Sequence, residues 1–290
     1  MPTPRFTVVV PCFNEQGAIR ETIDTLRKIL DGAGPYEFII VNDGSNDDTG
    51  RILEEYAEYD PGLTVIQNAT NRGYGASLKI GIRRSSAEFI VITDADGTYP
   101  DDRIPELLER AREVDMVVGA RTYKNVPYSF MRRIPKSFLR WYVCWLVGEN
   151  VPDMNSGLRV LRRSVAEKFL KILPDSFSFT TTITLAMMRN GHEVVFVPIS
   201  YAQRAGKSKI RPIRDTIRFT HLIVRSGMYF APLRVLTPLI VLLLIAFLFS
   251  LGRDIRESNL ADATVLLFTA VVNTTMFALL ADMIDKRTGG

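Results

Sequence analysis

Phe89-Ile-Val-Ile-Thr-Asp94-Ala-Asp96-Gly97 joins a continuous apolar run to two carboxylates one residue apart. The run is too short for a helix and has no polar face, so it reads as a strand covered on both sides. Similar runs lie at Phe6–Val10, Tyr36–Val41, Leu63–Ile66, Met116–Val118 and Val194–Val197. Helix-period segments separate them. Ile19, Ile23, Leu26 and Leu30 line the first, and Ile52, Leu53 and Tyr56 the second, which Asn46 or Asp47 is placed to cap. Leu78 and Ile82 mark a third. Ile104, Leu107, Leu108 and Ala111 mark a fourth, opened by Pro100-Asp-Asp102. Strand alternating with helix predicts a doubly wound, Rossmann-like α/β domain with a mostly parallel sheet over residues 1–203.

The chain has 290 residues, a net charge of +4, 47% hydrophobic and 23% charged residues. These values exclude a disordered chain, a collagen-like repeat and a disulfide-stapled module. Cys12 and Cys144 read as reduced, partly buried thiols. No basic leader precedes Phe6, so the N-terminal domain is expected in the cytosol. Residues 204–228 are basic, with Ile213, Ile217, Val224 and Met228 at helical spacing beside Arg214, Arg218 and Arg225. Such a segment is expected to lie on a membrane surface rather than on nucleic acid. Residues 229–290 follow as an anchor. Tyr229–Leu251 and Ala263–Ala281 are apolar enough to cross a bilayer, the first about 34 Å long as a helix. Arg234 is placed to snorkel. Gly252–Asp262 reads as a polar turn, and Asn273, Thr274 and Thr275 are expected to face the other span. The basic block before the first span places both termini and the large domain in the cytoplasm, in a multi-pass plasma-membrane protein.

Three clusters follow strand ends, where open α/β sheets bind ligands. They are Pro11-Cys-Phe13-Asn-Glu15, Asn42-Asp43-Gly-Ser-Asn-Asp47-Asp48 and Asp94-Ala-Asp96. Asp47 or Asp48 reads as a helix cap. Asp94 and Asp96 lie on alternate positions of an extended chain, so both can reach one hard cation. Mg²⁺ or Mn²⁺ fits oxygen ligands and commonly accompanies a diphosphate. No Ser/His/Asp arrangement and no metal-spaced histidine occurs; His192 and His221 read as lacking partners.

Seven motifs in order carry a family resemblance. Pro11-x-Phe-Asn-Glu15, Asn42-Asp-Gly-Ser-x-Asp47, Asn71-x-Gly-Tyr-Gly-Ala76 and Asp94-Ala-Asp96-Gly resemble the nucleotide-sugar half of family 2 glycosyltransferases. Val118-Gly-Ala-Arg121, Asp153-Met-Asn-Ser-Gly157-Leu-Arg159 and Arg204-x-Gly-Lys-Ser-Lys209 are similar to the dolichol-phosphate mannose synthase branch and its bacterial polyprenyl-phosphate relatives. The resemblance implies a GT-A fold and an inverting transfer of one sugar. The donor is GDP-mannose or a UDP-hexose, and the acceptor a dolichyl or undecaprenyl phosphate. Pro11, Phe13, Glu15, Asp43, Asn71 and Gly73 would hold the donor. Asp94 and Asp96 would take the metal, with Arg204 and Lys209 over the donor phosphates. Arg121, Arg133 and Ser137 would hold the acceptor phosphate, and Asp153, Ser156 and Gly157 would shape the sugar and acceptor side. The family's usual glutamine two residues beyond the second aspartate is Thr98 here, and its first-motif tyrosine is Phe13. A transferase for another lipid or a protein, and a non-catalytic nucleotide-binding scaffold, remain alternatives. Homo-oligomerisation through the spans is open.

Overall fold

The computed structural model describes residues 3–122, 140–201, 224, 225, 227–229 and 231–288, with side chains to 284. Most of the expected basic helix and its arginines lie outside the described residues. The chain divides into two compact units, one formed by Met1–Arg140 with Asn150–Arg211 and the other by Trp141–Glu149 with Pro212–Gly290.

The first unit is a seven-stranded sheet. Its strands are β1 (Phe6–Cys12), β2 (Tyr36–Asn42), β3 (Leu63–Gln67), β4 (Phe89–Ile92), β5 (Met116–Ala120), β6 (Arg159–Arg162) and β7 (Val194–Pro198), in the order β3-β2-β1-β4-β6-β5-β7. Helices α1 (Ile19–Leu30), α2 (Thr49–Tyr59), α3 (Tyr74–Arg84) and α4 (Ile104–Arg110) connect the early strands. A helical segment over residues 140–147 is α5, followed by α6 (Arg163–Phe169) and α7 (Phe179–Arg189). Every residue of β1, β4 and β5 is buried, as their unbroken apolar runs require. The apolar stripe of α1 is buried as its spacing predicts, and so are Ile52, Leu53, Leu78, Ile82 and the four α4 positions. Asp47 does serve the start of α2, its Oδ1 accepting the Thr49 N–H at 3.0 Å.

One strand escaped the reading of the sequence. β6 is antiparallel to both β4 and β5. It is only four residues long and holds an arginine at each end, so it has no apolar signature. Its direction matters for the site. The parallel strands all end at one edge, and β6 begins there. His192 also departs from expectation. Its Nδ1 lies 3.0 Å from Asp115 Oδ2 and its ring packs edge-on to Phe169, so it fastens the entry to β7.

The second unit contains α5 and a long helical hairpin, α8 (Pro232–Glu257) and α9 (Asp262–Thr288). Both helices are long and apolar enough to cross a membrane. α8 runs well past Leu251, so the expected polar turn shrinks to residues 258–261. The reason is Asp254, whose carboxylate accepts from the Ala261 N–H and the Thr264 hydroxyl and closes the hairpin from inside the helix. Arg234 is engaged rather than merely snorkelling. Its Nη1 donates to the Trp145 and Leu146 carbonyls at 3.0 and 2.9 Å, satisfying the end of α5. The expected contact of the polar triplet with the other span is corrected for Asn273 alone, since Thr274 and Thr275 are half-buried on the side of the helix that carries buried Ala278. Asn273 is exposed, and Thr275 bonds back to the Val271 carbonyl at 2.8 Å within its own helix.

Candidate active site

The site forms at the edge where the parallel strands end. After β1 the chain turns at Asn14 with φ 55°. The turn is laced to the loop after β2. Asn14 N–H donates to Ser45 Oγ, Glu15 N–H to Thr49 Oγ1, and Asn46 N–H to Asn14 Oδ1, all within 2.9 Å. Pro11 is buried, while Phe13 and Glu15 are half-buried on this double loop.

Asp43 is almost fully buried and anchors a third loop. Its Oδ1 accepts from Asn68 Nδ2 and the Arg72 N–H, and its Oδ2 from the Gly73 N–H, at 2.8–2.9 Å. Asn71 sits exposed on that loop. Gly73 has φ +103°, and a Cβ there would meet the Asp175 carbonyl oxygen at 2.3 Å, so backbone packs on backbone. Asp43 therefore shapes the loop from behind through its own hydrogen bonds.

Asp94 and Asp96 are both half-buried just beyond β4. The Tyr74 hydroxyl donates to Asp94 Oδ1 at 3.0 Å. Asp96 Oδ1 accepts from the Thr98 hydroxyl at 2.6 Å and from its N–H at 3.2 Å. Thr98 thus orients Asp96. A third carboxylate, Asp101, stands behind them and was not singled out from the sequence. It accepts from the Thr93 hydroxyl at 2.7 Å. Burial, together with the negative charges of Asp94, Asp102 and Asp96, pushes it up to about 6 against the Thr93 hydrogen bond. Burial and Asp94 likewise push the Tyr74 and Tyr99 phenols up. The local field is strongly negative.

β6 supplies the opposite wall. Because it runs against its neighbours, the segment Asp153–Gly157 before it arrives at the same edge. Gly157 N–H donates to Tyr99 Oη at 2.6 Å. A Cβ on Gly157 would lie 2.9 Å from both Asp94 carboxylate oxygens. Ser156 Oγ is buried without a hydrogen-bond partner among the described residues. Arg121, just beyond β5, pairs bidentately with Asp153: Nε to Oδ2 at 2.7 Å and Nη2 to Oδ1 at 3.0 Å. Its guanidinium also lies 5.2 Å from the Tyr201 ring, which packs edge-on to Tyr99. Burial alone would lower Arg121 and raise Asp153. The hydrogen bonds between them reverse both, holding Arg121 above and Asp153 below their ordinary values.

Arg159 is the residue the motif contained but to which the sequence assigned no task. It is fully buried. Nε and Nη2 donate to the Ser156 carbonyl, and Nη1 to the Thr180 carbonyl and Thr184 Oγ1 of α7. Burial lowers it from the ordinary arginine value. An arginine one step before a Val-Leu pair was the available signal. Arg133, Ser137, Arg204 and Lys209 lie outside the described residues.

The donor set fits a hard divalent cation. Asp94 and Asp96, two half-buried carboxylates, would supply its oxygen ligands, and burial together with their charge raises the pKa of Asp101 behind them. Among the described residues no group of three or more His, Cys, Asp or Glu side chains is placed to hold a metal ion, so the protein contribution would be the Asp94–Asp96 pair. Mg²⁺ and Mn²⁺ commonly bind through one or two protein carboxylates and complete their shells with phosphate and water.

A largely parallel sheet interrupted by one reversed strand, with paired carboxylates after β4, defines a nucleotide-sugar glycosyltransferase of the GT-A class. The chain belongs to glycosyl transferase family 2, whose model matches residues 7–170. It is 29% identical over 218 residues to the undecaprenyl-phosphate mannosyltransferase of Micrococcus luteus, covering 71% of this chain and 87% of that protein. It is 30% identical over 224 residues to the polyprenol monophosphomannose synthase of Mycolicibacterium smegmatis, covering 72% and 82%. It is 30% identical over 214 residues to the undecaprenyl-phosphate 4-deoxy-4-formamido-L-arabinose transferase of Klebsiella pneumoniae, covering 72% and 63%. Among solved structures, a mannosyltransferase from Pyrobaculum calidifontis with GDP-Man and Mn²⁺ aligns at TM-score 0.53 and 19% identity over 98% of this chain and 88% of that one. Glucosyl-3-phosphoglycerate synthase from Mycobacterium tuberculosis, with Mn²⁺, UDP-Glc and phosphoglyceric acid, aligns at 0.59 and 18% over 77% and 80%. The family and the fold implied by the motifs are thereby established.

Proposed function

We propose that this glycosyltransferase moves one sugar from a nucleotide diphosphosugar to a polyprenyl phosphate at the cytosolic face of a membrane, inverting the anomeric centre. The observation that carries the reading is the convergence, around Tyr99 and Gly157, of the Asp94–Asp96 carboxylates with the Arg121–Asp153 pair. One side suits a cation with a diphosphate, and the other presents guanidinium donors for a second phosphate. Polyprenyl-phosphate chemistry in the names of the relatives, and the apolar α8–α9 hairpin, support the acceptor assignment.

The double loop bearing Pro11, Phe13 and Glu15, with the Asp43-held loop of Asn71 and Gly73, binds the nucleotide. Asp94 and Asp96 hold Mg²⁺ or Mn²⁺, and when bound the ion neutralises charge on the donor diphosphate. Asp153 takes two of the five Arg121 N–H groups and fixes the plane of the fork, leaving the others for the acceptor phosphate. The Ser156 hydroxyl, buried without a hydrogen-bond partner among the described residues, is assigned to a sugar hydroxyl. A phosphomonoester has a second pKa of about 6, so the acceptor is largely a dianion at neutral pH and needs no general base. Its oxygen attacks the anomeric carbon as the bond to the diphosphate breaks, and the nucleoside diphosphate leaves with the electron pair. The chain's own task is to screen two anionic reactants and align them. Arg133, Ser137, Arg204 and Lys209 are proposed to extend the phosphate contacts, by resemblance alone.

Purified protein in detergent, given polyprenyl phosphate, Mg²⁺ or Mn²⁺ and a panel of UDP- and GDP-sugars, should form glycolipid from one donor and only with metal. Donor binding without glycolipid would reassign the acceptor to another lipid or a protein. Neither binding nor turnover would leave a scaffold.

A further inference from the structure

The second helix of the hairpin carries an outward seam. Leu266, Thr269, Asn273, Met276, Leu280 and Met283 recur at alternating steps of three and four, and all six are exposed. This is the spacing of a left-handed helix pair. The side of α9 that packs on α8 is a different one, carrying the buried Thr264 and Ala278. Asn273 stands at the midpoint of the apolar stretch Asp262–Ile284. It has no hydrogen-bond partner among the described residues, whereas Thr269, also on the seam, satisfies itself on the Val265 carbonyl at 2.9 Å.

We propose that this seam is the interface of a parallel homodimer in the bilayer, with Asn273 of the two copies hydrogen-bonded across the symmetry axis. The proposal rests on the reading that the hairpin spans the membrane. There, an unpaired amide at mid-depth has no water to bond and is driven to find a polar partner on another helix. The partner is a second copy because of depth and chemistry. Copies inserted the same way bring residue 273 to the same level. A carboxamide carries both donors and an acceptor, so two of them complement each other about a twofold axis. Leu266 and Leu280, one heptad to either side, then pack against their counterparts, with Met276 and Met283 filling the intervening layers.

The test uses the full chain in native membranes. Met276→Cys should form a disulfide-linked dimer on mild oxidation, well above both the wild type, with its two native thiols, and Leu242→Cys on the exposed surface of α8. Asn273→Leu should weaken the dimer about three- to thirty-fold, read by single-molecule photobleaching over a lipid-dilution series, and Asn273→Gln should recover part of the loss. Alkaline carbonate extraction separates the two readings. Release of the protein overturns the membrane assignment. Retention with no excess cross-linking at position 276 overturns the dimer alone, and an Asn273→Leu variant as dimeric as the wild type overturns the contact assigned to Asn273.

Discussion

Gly157→Ala isolates one contact at the centre of the site. The backbone at Gly157 is not in the left-handed region, so alanine meets no conformational barrier. Its effect comes from the new methyl, which would sit 2.9 Å from both oxygens of Asp94. Restoring an ordinary contact of 3.4 Å requires the carboxylate or the turn to move by the difference, about 0.5 Å. Asp94 is not free to yield, because Tyr74 holds its Oδ1 at 3.0 Å. The turn is not free either, because Tyr99 holds the Gly157 N–H and Arg159 the Ser156 carbonyl. Overpacking of this kind costs about 1–3 kcal/mol of stability. A metal-and-diphosphate site tolerates about 0.5 Å of error. A roughly ten- to hundredfold loss in kcat/KM is therefore expected, equivalent to about 1.4–2.7 kcal/mol in the transition state. The half-saturating metal concentration should rise as well. The assay is glycolipid formation against Mg²⁺ and Mn²⁺ concentration, beside thermal unfolding in the same detergent. Gly17→Ala, where no atom lies within 4 Å of the added methyl, serves as the control and should change neither. A folded Gly157→Ala enzyme with wild-type rate and metal dependence would refute the assignment of Asp94 to the cation.

Three further outcomes follow from the same geometry. Asp101 has a folded-state value of about 6 against 3.8 unfolded. The native state therefore keeps a proton that the unfolded chain releases, and stability falls as pH rises from about 4 to about 6. Asp101→Asn can still accept from Thr93 and should be more stable than wild type at pH 7 by about 2–3 kcal/mol. The gap should close below pH 4, and parallel unfolding curves across that range would contradict it. Arg159→Met strips both guanidinium donors from the Ser156 carbonyl and one from the Thr180 carbonyl, which keeps the Thr184 hydroxyl, and should cost about 2–4 kcal/mol, read by chemical unfolding. Arg159→Lys should recover little, since a single ammonium cannot span both carbonyls. Asp153→Asn releases the plane of Arg121 while keeping the side chain's volume. It should raise KM for lipid phosphate about tenfold with donor affinity nearly unchanged, and equal losses in both would place Arg121 on the donor instead.

The sequence by itself determined the sheet strands with continuous apolar runs, the buried faces of α1 to α4 and the two long apolar helices. Each is a local pattern whose period matches the element it forms. It also marked Asp94 and Asp96 as chemistry, because like charges at strand ends are costly without a purpose, while the segments carrying Arg121 and Asp153 stood out only through the family resemblance. Only the tertiary structure decided how these pieces meet. β6 is four residues with an arginine at each end, and its reversed direction comes from pairing with β4 and β5, which no local period records. That reversal sets Gly157 against Asp94 and turns Arg159 inward onto α7. The sequence offered Asp43 as a donor-binding residue, and the fold adds that its oxygens hold three loop donors contributed from up to thirty positions away. Asp101 read as the opening of a helix, and its pKa rises once the fold buries it behind two other carboxylates. Asn273 was expected to face α8. The hairpin instead buries Thr264 and Ala278 and leaves the amide outside, because small side chains let the two helices approach closely.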